Sequence, residues 1–454
     1  MLRRKIEQKL LLWKQSENHN PLIVKGCRQC GKTYSVIQFA KKNYKHVVYL
    51  NFFENPEYAQ FFSASLEIDK IAMYITASLG TPVVFEPKNT CLVLDEIQEC
   101  PNARTALKFF KLDGRYDVIC TGSLLGIKGY RDEPASIPVG YETVIDMYPL
   151  DFEEFLWANG VGEEAIAAME TKINGREPLP EALHKRMMDL FRKYLIVGGL
   201  PDAVNSFVER KNIVEVREIQ REIHHLYRVD AARYEQESQK KLKIQRIFEM
   251  IPSNLENKKK RMVAAKIEGK RQARMNDYAD EFEYLIHAGV ALQVQAISQP
   301  SYPIVENSGK NLLKLYPNDV GLFTGILYEE QIRAIMNDEG SVNLGSVYEA
   351  VVAQELAAHG FRLCYYDNKQ KGEVDFLIDD IEHLAVTPIE VKSGKDYYIH
   401  SALSNILNVK EYGIRQAFVL SNEQQIRTEK GITYLPVYGI MFFKRNATDK
   451  LVLE

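Results

Sequence analysis

The feature that most constrains this chain is a short apolar run, Leu22 to Val24, entering Gly26-x-x-x-x-Gly31-Lys32-Thr33, with a helical pattern beyond it. Strand, glycine-rich loop and helix in that order make a P-loop, and they commit the first part of the chain to a parallel α/β sheet. Glycines let backbone N–H groups turn inward around phosphate oxygens at a helix N-terminus. The candidate nucleotide contacts are therefore Gly26, Cys27, Arg28, Gln29, Cys30, Gly31, Lys32, Thr33 and Tyr34. Lys32 is expected to reach the outer phosphates of ATP, and the Thr33 hydroxyl to ligate Mg2+. Cys27 and Cys30 also form a C-x-x-C, readable as half a zinc site or a redox pair, but no second pair at matching spacing exists and loop filler is the simpler reading.

A phosphate loop needs an acidic partner, and Cys91 to Leu94 lead as a strand into Asp95-Glu96. Asp95 is expected to hold the magnesium, and Glu96 to polarise the attacking water, the step that separates an ATPase from a passive nucleotide holder. After a further short strand, Thr121 and Ser123 offer hydroxyls at a strand C-terminus, where open parallel sheets bind ligands. Thr121 either senses the terminal phosphate or caps the next helix. For a charge-neutralising arginine, Arg131 is the positional favourite and Arg115 the second.

At 454 residues the chain has room for about three domains. With a net charge of -3 it is no general polyanion binder, so any nucleic-acid contact must come from a local patch. The basic N-terminus is interrupted by Glu7, Gln8 and Lys9 and reads as an amphipathic helix rather than a signal peptide. No run of about 18 apolar residues is present, and the six cysteines lack a disulfide framework, which together point to the cytoplasm.

The segments GCRQCGKT, LVLDEIQE, TGS and IPVGYETVIDMYPLDFEEFL, followed by YLIVGGLPDAV at 194–204 and KLYPNDVGLF at 314–323, resemble the AAA-type ATPases of bacteria and archaea that carry a winged-helix and nuclease-like C-terminal region. The resemblance runs over nearly the whole chain and rests on the order of the segments. Many of those ATPases have an arginine after the glycine where this chain has Gly140-Tyr141. The expected architecture is α/β: a P-loop AAA-type parallel sheet at 1–155, a helical lid at 156–235, a winged-helix module at 236–332 and a small restriction-endonuclease-like domain at 333–454.

Within the lid, Gly198-Gly199-Leu200-Pro201 ends one helix and restarts another, a punctuation suited to a hinge. His224 and His225 are adjacent on a helix, point in different directions, and read as a polar face rather than a metal pair. From Lys258 to Arg274 run eight Lys or Arg against one acid, Glu268. Next comes a helix with an apolar stripe at Tyr278, Phe282 and Leu285, then two strands, an order that resembles a winged helix. The block is therefore a candidate DNA contact, with a solvated face or protein-facing surface as the plainer alternative.

The tail reads helix, strand, strand, strand, with Glu349 on the helix, Asp375 on the second strand, and Glu390 and Lys392 alternating onto one face of the third. This looks like the core of the restriction-endonuclease-like nucleases. That likeness implies metal binding by Asp375 and Glu390 with Glu349 beside them, and a phosphate-directed role for Lys392. Asp379-Asp380 is expected in a solvated turn, and Tyr397 and Tyr398 are base-stacking or packing aromatics. The leading expectation is a cytoplasmic, magnesium-dependent ATPase controlling a DNA-binding module and a nuclease-like domain. A nucleotide-gated scaffold with a silent tail is the alternative. A DNA-remodelling motor is a third reading, and it would need a homo-oligomeric ring.

Overall fold

In this computed structural model the described residues are 2–79, 83–122, 140–230, 235, 237–304, 312–337, 339, 342–394 and 398–445; Ser123, Arg131 and Tyr397 lie outside them. The chain divides into two compact units. One comprises Arg3–Tyr148 with His287–Gly289, the other Pro149–Ile286 and Val290–Glu454 with the first two residues. The helices expected as a lid of the nucleotide domain therefore fall in the second unit, as do both C-terminal segments.

The first unit is built on five strands: β1 Leu22–Lys25, β2 His46–Asn51, β3 Thr90–Asp95, β4 Asp117–Gly122 and β5 Thr143–Asp146, with every neighbour parallel in the order β2-β3-β4-β1-β5. Strand β3 is buried along its whole length and β1 over its first three residues, which is why both read as continuous apolar runs rather than alternating ones. Among the described residues its α-helices are α1 Ile6–Gln15, α2 Lys32–Asn43, α3 Ile68–Ser78 and α4 Pro101–Asp113. In α1 the buried Ile6, Leu10 and Trp13 recur at helical spacing, giving the expected amphipathic face. Ile23, Leu50, Leu92, Leu94, Phe62 and Phe110 share one core. A parallel sheet puts all its strand C-termini on one edge, so the loop after β1 and the acids after β3 share that edge despite some 60 residues of separation.

The second unit carries a mixed eight-stranded sheet in the order β12-β13-β11-β10-β9-β8-β6-β7, where β6 is Ala291–Ile297, β7 Leu313–Pro317, β8 Cys364–Asn368, β9 Gly372–Asp380, β10 Ala385–Val391, β11 Ala417–Ser421, β12 Arg427–Glu429 and β13 Ile432–Pro436. The helices Ser238–Leu255, Ala264–Glu268 and Ala279–His287 precede β6, and β6 pairs antiparallel with β7 as a wing would. Strand β6 also runs parallel to β8, so segments 236–332 and 333–454 share one sheet instead of forming separate modules. Pairing with β8 satisfies backbone groups that a free-standing hairpin would leave to solvent. Asp379 and Asp380 close β9 rather than a turn, and the Asp379 carboxylate accepts a bond from the Ile304 amide at 3.1 Å.

The Gly198-Gly199 step is locked, contrary to the hinge expectation. Gly198 has φ +73° and Gly199 donates its N–H to Asp319 Oδ2 at 2.6 Å, while Leu150 N–H donates to Gly199 O at 2.7 Å. Asp319 is fully buried and also caps the Val320–Leu327 helix through Leu322 N–H. The glycines are there because the backbone of Leu150 and the carboxylate of Asp319 approach too closely for any side chain: a Cβ on Gly199 would meet Leu150 O at 2.0 Å. No helix among the described residues is long and apolar enough to cross a membrane.

Gly199→Ala is therefore expected to cost about 1–3 kcal/mol of stability through overpacking. Urea denaturation followed by circular dichroism checks this; an unchanged midpoint would mean that the 150 segment moves aside freely.

Candidate functional site

At the phosphate loop, Gly31 adopts φ +91° and opens α2, and Gln29 is also left-handed at φ +61°. Gly26 lies so close to the end of β5 that a Cβ there would meet Met147 O at 2.1 Å. The Lys32 amine donates to the loop's own Gly26 O at 2.9 Å and Cys27 O at 2.6 Å, carbonyl contacts that a phosphate oxygen can replace. Arg28 lies 5.9 Å from the Phe53 ring and Tyr34 is about half exposed. Cys30 is fully buried; its thiol is lowered to about 6 by its bond with Cys27, against burial and with help from the Lys32 and Arg4 charges.

Opposite the loop, four polar groups converge on the buried Asp95. Thr33 Oγ1 donates to Oδ1 at 3.0 Å, Tyr49 OH to Oδ2 at 2.8 Å, Asn51 Nδ2 to Oδ2 at 3.3 Å, and Thr121 Oγ1 donates to Oδ1. Thr33 beside a carboxylate is a hard oxygen donor set of the kind magnesium takes, so the residues fit the ion. Thr121 is fully buried and braces Asp95. Glu96 follows in a left-handed backbone conformation, φ +53° and ψ +49°, and the buried Gln98 amide donates to its carboxylate. A glutamate held in that sparsely occupied region is a strained residue of the sort found at functional sites. Arg115 is engaged with Asp69 and Asp113, each at 2.7 Å, so it is committed elsewhere; Arg131 lies outside the described residues.

Sequence reasoning missed Tyr49, Asn51 and Arg4. The first two alternate on β2, and register pairs Asn51 with Asp95, a neighbour relation set by strand order. Arg4 donates to Cys30 O at 2.8 Å and Tyr148 O at 2.7 Å, tying the loop to the chain after β5.

In the second unit the helix Leu344–Ala358 brings Glu349 to strands β9 and β10. Asp375 Oδ2 accepts from Val391 N–H at 2.8 Å, and Lys392 Nζ lies 2.8 Å from Glu390 Oε1. Burial, with the charges of Glu349 and Glu390, pushes the Asp375 carboxyl well up, so the four expected groups sense one another electrostatically. Burial likewise raises Glu390, against the opposing charge of Lys392. Glu349 differs. Burial opposes its charge, but Lys260 and Lys314 hold it below the usual glutamate range. Lys260 donates directly to Glu349 Oε1, and Tyr316 OH to Oε2 at 2.8 Å. Lys314, 1% exposed, pairs with Glu373 at 2.6 Å. The carboxylates could hold a divalent ion, but lysines already supply positive charge among them.

Two members of the basic block are thus used inside the protein: Lys260 on Glu349 and Arg261 on Asp367 at 3.4 Å. Lys258, Lys259, Lys266, Lys270, Arg271 and Arg274 remain exposed. Tyr278, Phe282 and Leu285 are buried, as their spacing implies. His224 stacks on Phe248 at 5.1 Å and His225 is exposed, so the two do not form a ligand pair.

Residues 18–156 match a family model described as an AAA domain, 188–331 one described as Domain of unknown function (DUF8612), and 344–440 one described as Domain of unknown function (DUF4143). A search of curated proteins returned no match. Among solved structures, the Walker-type ATPase PABY2304 of Pyrococcus abyssi is 13% identical, covers 72% of this chain and 96% of its own, and has a TM-score of 0.41. The ORC1 protein of Aeropyrum pernix, solved in complex with DNA, is 14% identical over 74% of this chain and 94% of its own, TM-score 0.29. AMPPCP-bound DnaA from Aquifex aeolicus is 12% identical over 62% and 85%, TM-score 0.28.

Because Lys260 stabilises the charged Glu349, its contribution is full above the ordinary glutamate pKa of about 4.3 and is lost as pH falls through the lower folded value. Lys260→Met should destabilise the protein by about 3 kcal/mol near neutral pH, and by much less at acid pH. Denaturant titrations at several pH values measure the difference; a pH-independent cost would show that packing of the lysine stem dominates.

Proposed function

We propose, from the premise that residues 18–156 form an AAA-type P-loop ATPase domain, that the chain binds and hydrolyses ATP with Mg2+ and uses nucleotide state to govern a nucleic-acid-directed C-terminal part. The observation that carries the ATPase reading is the constellation on one sheet edge: Lys32 in its loop, Thr33 bonded to Asp95, and Glu96 in a strained conformation one residue on. When bound, magnesium supplies charge neutralisation on the outer phosphates, held through Thr33 and Asp95. Lys32 exchanges its loop carbonyls for phosphate oxygens. Tyr49, Asn51 and Thr121 keep the Asp95 carboxylate oriented. Glu96 accepts a hydrogen bond from the attacking water, and Gln98 restrains it until then.

For the C-terminal part, Glu349, Asp375, Glu390 and Lys392 support a metal-dependent phosphodiesterase reading: carboxylates to hold the ion and an amine facing the developing phosphate charge. The exposed cations between Lys258 and Arg274 are the DNA-facing candidates. One observation favours a second reading, a silent scaffold: Lys260 occupies the Glu349 carboxylate, a position the metal would share.

Lys32→Ala is expected to abolish tight ATP binding, whereas Glu96→Gln should retain binding and lose turnover by 10²-fold or more, about the usual worth of a general base. Equal loss of binding in both variants would remove Glu96 from the water-polarising role. In parallel, Asp375→Ala and Lys392→Ala should each abolish Mg2+- or Mn2+-dependent strand cleavage while ATP turnover persists. Wild-type protein that cuts neither DNA nor RNA, single- or double-stranded, with or without ATP, supports the scaffold.

A further inference from the structure

A phosphate cradle is made by backbone N–H groups, a task that needs no side chain from Cys27 or Cys30. These two residues stand at the ends of the Arg28–Gln29 turn, where Gln29 takes the left-handed conformation, φ +61°. Residues at the ends of such a turn have Cα atoms less than about 7 Å apart, and a disulfide spans about 4.4–6.8 Å. Their side chains point toward each other: the Cys27 and Cys30 sulfurs are hydrogen-bonded. Both residues are buried, but the turn that joins them is at the surface, with Gln29 exposed and Arg28 partly so. Local opening of two residues therefore gives a small oxidant its access.

The surroundings of Cys30 set it apart from the cysteines elsewhere in the chain. Burial pushes up the thiols of Cys91, Cys100, Cys120 and Cys364, Cys100 and Cys364 to about 11, which keeps them protonated and slow to react. Cys30 goes the other way. The bond from Cys27 is the largest cause, and the charges of Lys32 and Arg4 and the Lys32 N–H at the start of α2 add to it, against burial. In its protonated form Cys30 has Met147 O 3.6 Å away to donate to; without the proton it keeps the Cys27 S–H and the Lys32 N–H as donors. A thiolate at a helix N-terminus, flanked by cations and touching a second thiol, is the arrangement of reactive C-x-x-C pairs.

We propose that Cys27 and Cys30 are a redox modification site, closed to an intramolecular disulfide by a hydroperoxide. The Cys30 thiolate attacks the terminal peroxide oxygen, the O–O bond breaks, and the departing alkoxide or hydroxide takes the proton that Cys30 had given up. Cys30 is then a sulfenic acid. The Cys27 sulfur attacks the Cys30 sulfur and the expelled hydroxide takes the Cys27 proton, so two thiols and one hydroperoxide give one disulfide, one alcohol or water, and one water. A dithiol reductant reverses the link. The consequence, which rests on the ATPase reading, is that oxidation shuts the nucleotide loop. An S–S bond of about 2.04 Å is much shorter than a hydrogen bond between two sulfurs, so Cys27 and Cys30 must draw together. Cys27 cannot shift without disturbing the cradle: its N packs against Gly289 of the same compact unit, where a Cβ would come within 2.9 Å, and its O accepts from the Lys32 amine at 2.6 Å. The N–H groups of the turn move with it, away from where they meet phosphate oxygens.

The test uses the full-length protein, fully reduced, separated from reductant and exposed to hydrogen peroxide as the probe. Remaining thiols are alkylated, and peptide mass spectrometry reads the Cys27–Cys30 link as a loss of two hydrogens. Wild-type protein should form that link. Its affinity for a non-hydrolysable ATP analogue with Mg2+ should fall about tenfold or more, the worth of one hydrogen bond to a charged group, and return with dithiothreitol. Cys30→Ala, compared with itself before and after peroxide, should show no such fall; an equal fall would place the damage elsewhere and overturn the proposal. Wild-type protein that keeps both thiols through peroxide overturns it without any variant. Linked protein that binds the analogue as tightly as the reduced form overturns the shut-off. Reduced protein that binds no analogue defeats the ATPase reading instead, and the mass of the peptide holding Cys27 and Cys30 still decides the pair.

Discussion

The second unit depends on one helix that has no solvent face. Leu344–Ala358 is buried almost throughout, and its few polar side chains are the fasteners of everything around it. Ser346 donates to Glu256 at 2.6 Å; Glu349 takes Lys260 and Tyr316; Gln354 donates to Tyr194 OH at 2.6 Å and accepts from Val320 N–H at 3.1 Å; Glu355 accepts from Phe152 N–H. A buried polar group left without a partner costs about 1–3 kcal/mol, so each of these bonds specifies which neighbour must be where. Segments that look like separate modules in the chain are thereby held as one unit. The shared sheet, with β6 beside β8, expresses the same constraint in the backbone.

Charge is handled by contrasting means at the nucleotide-type site and the acid cluster. Asp95 is surrounded by neutral hydroxyls and an amide, which orient a carboxylate without consuming its charge and leave it available to a cation. The acid cluster near β9 and β10 is instead balanced by Lys260, Lys314 and Lys392, with Asp375 pushed toward its neutral form. An ion entering there must compete with an amine and displace a proton, a linkage that makes its affinity rise with pH. This difference is why the ATPase reading stands on firmer chemical ground than the phosphodiesterase one.

Much of the nucleotide site was legible because its signals are local. The glycines of the loop answer a backbone need visible in eight consecutive residues, and a parallel sheet automatically sets Asp95 beside Thr33. What escaped was carried by neighbours across strands. Tyr49 and Asn51 look like ordinary alternation on β2, and only the register opposite β3 gives them Asp95 as a partner. Thr121 was visible as a hydroxyl at a strand end, but its bond to Asp95 was not. The Gly198-Gly199 pair misled for a related reason: glycine permits motion and also permits close packing, and composition cannot tell the two apart.

By itself the sequence determined the P-loop unit, the helix–strand alternation and the residue types available for chemistry, because periodicity and turn chemistry act over a few residues. Tertiary structure alone decided that Lys260, read as part of a DNA-facing block, reaches Glu349, 89 positions away. It also decided that Asp151 meets His359 from the opposite end of a long chain segment. Such pairings arise from how a few buried helices must cross to cover one sheet and satisfy their polar groups, a requirement on the whole unit that no local pattern records.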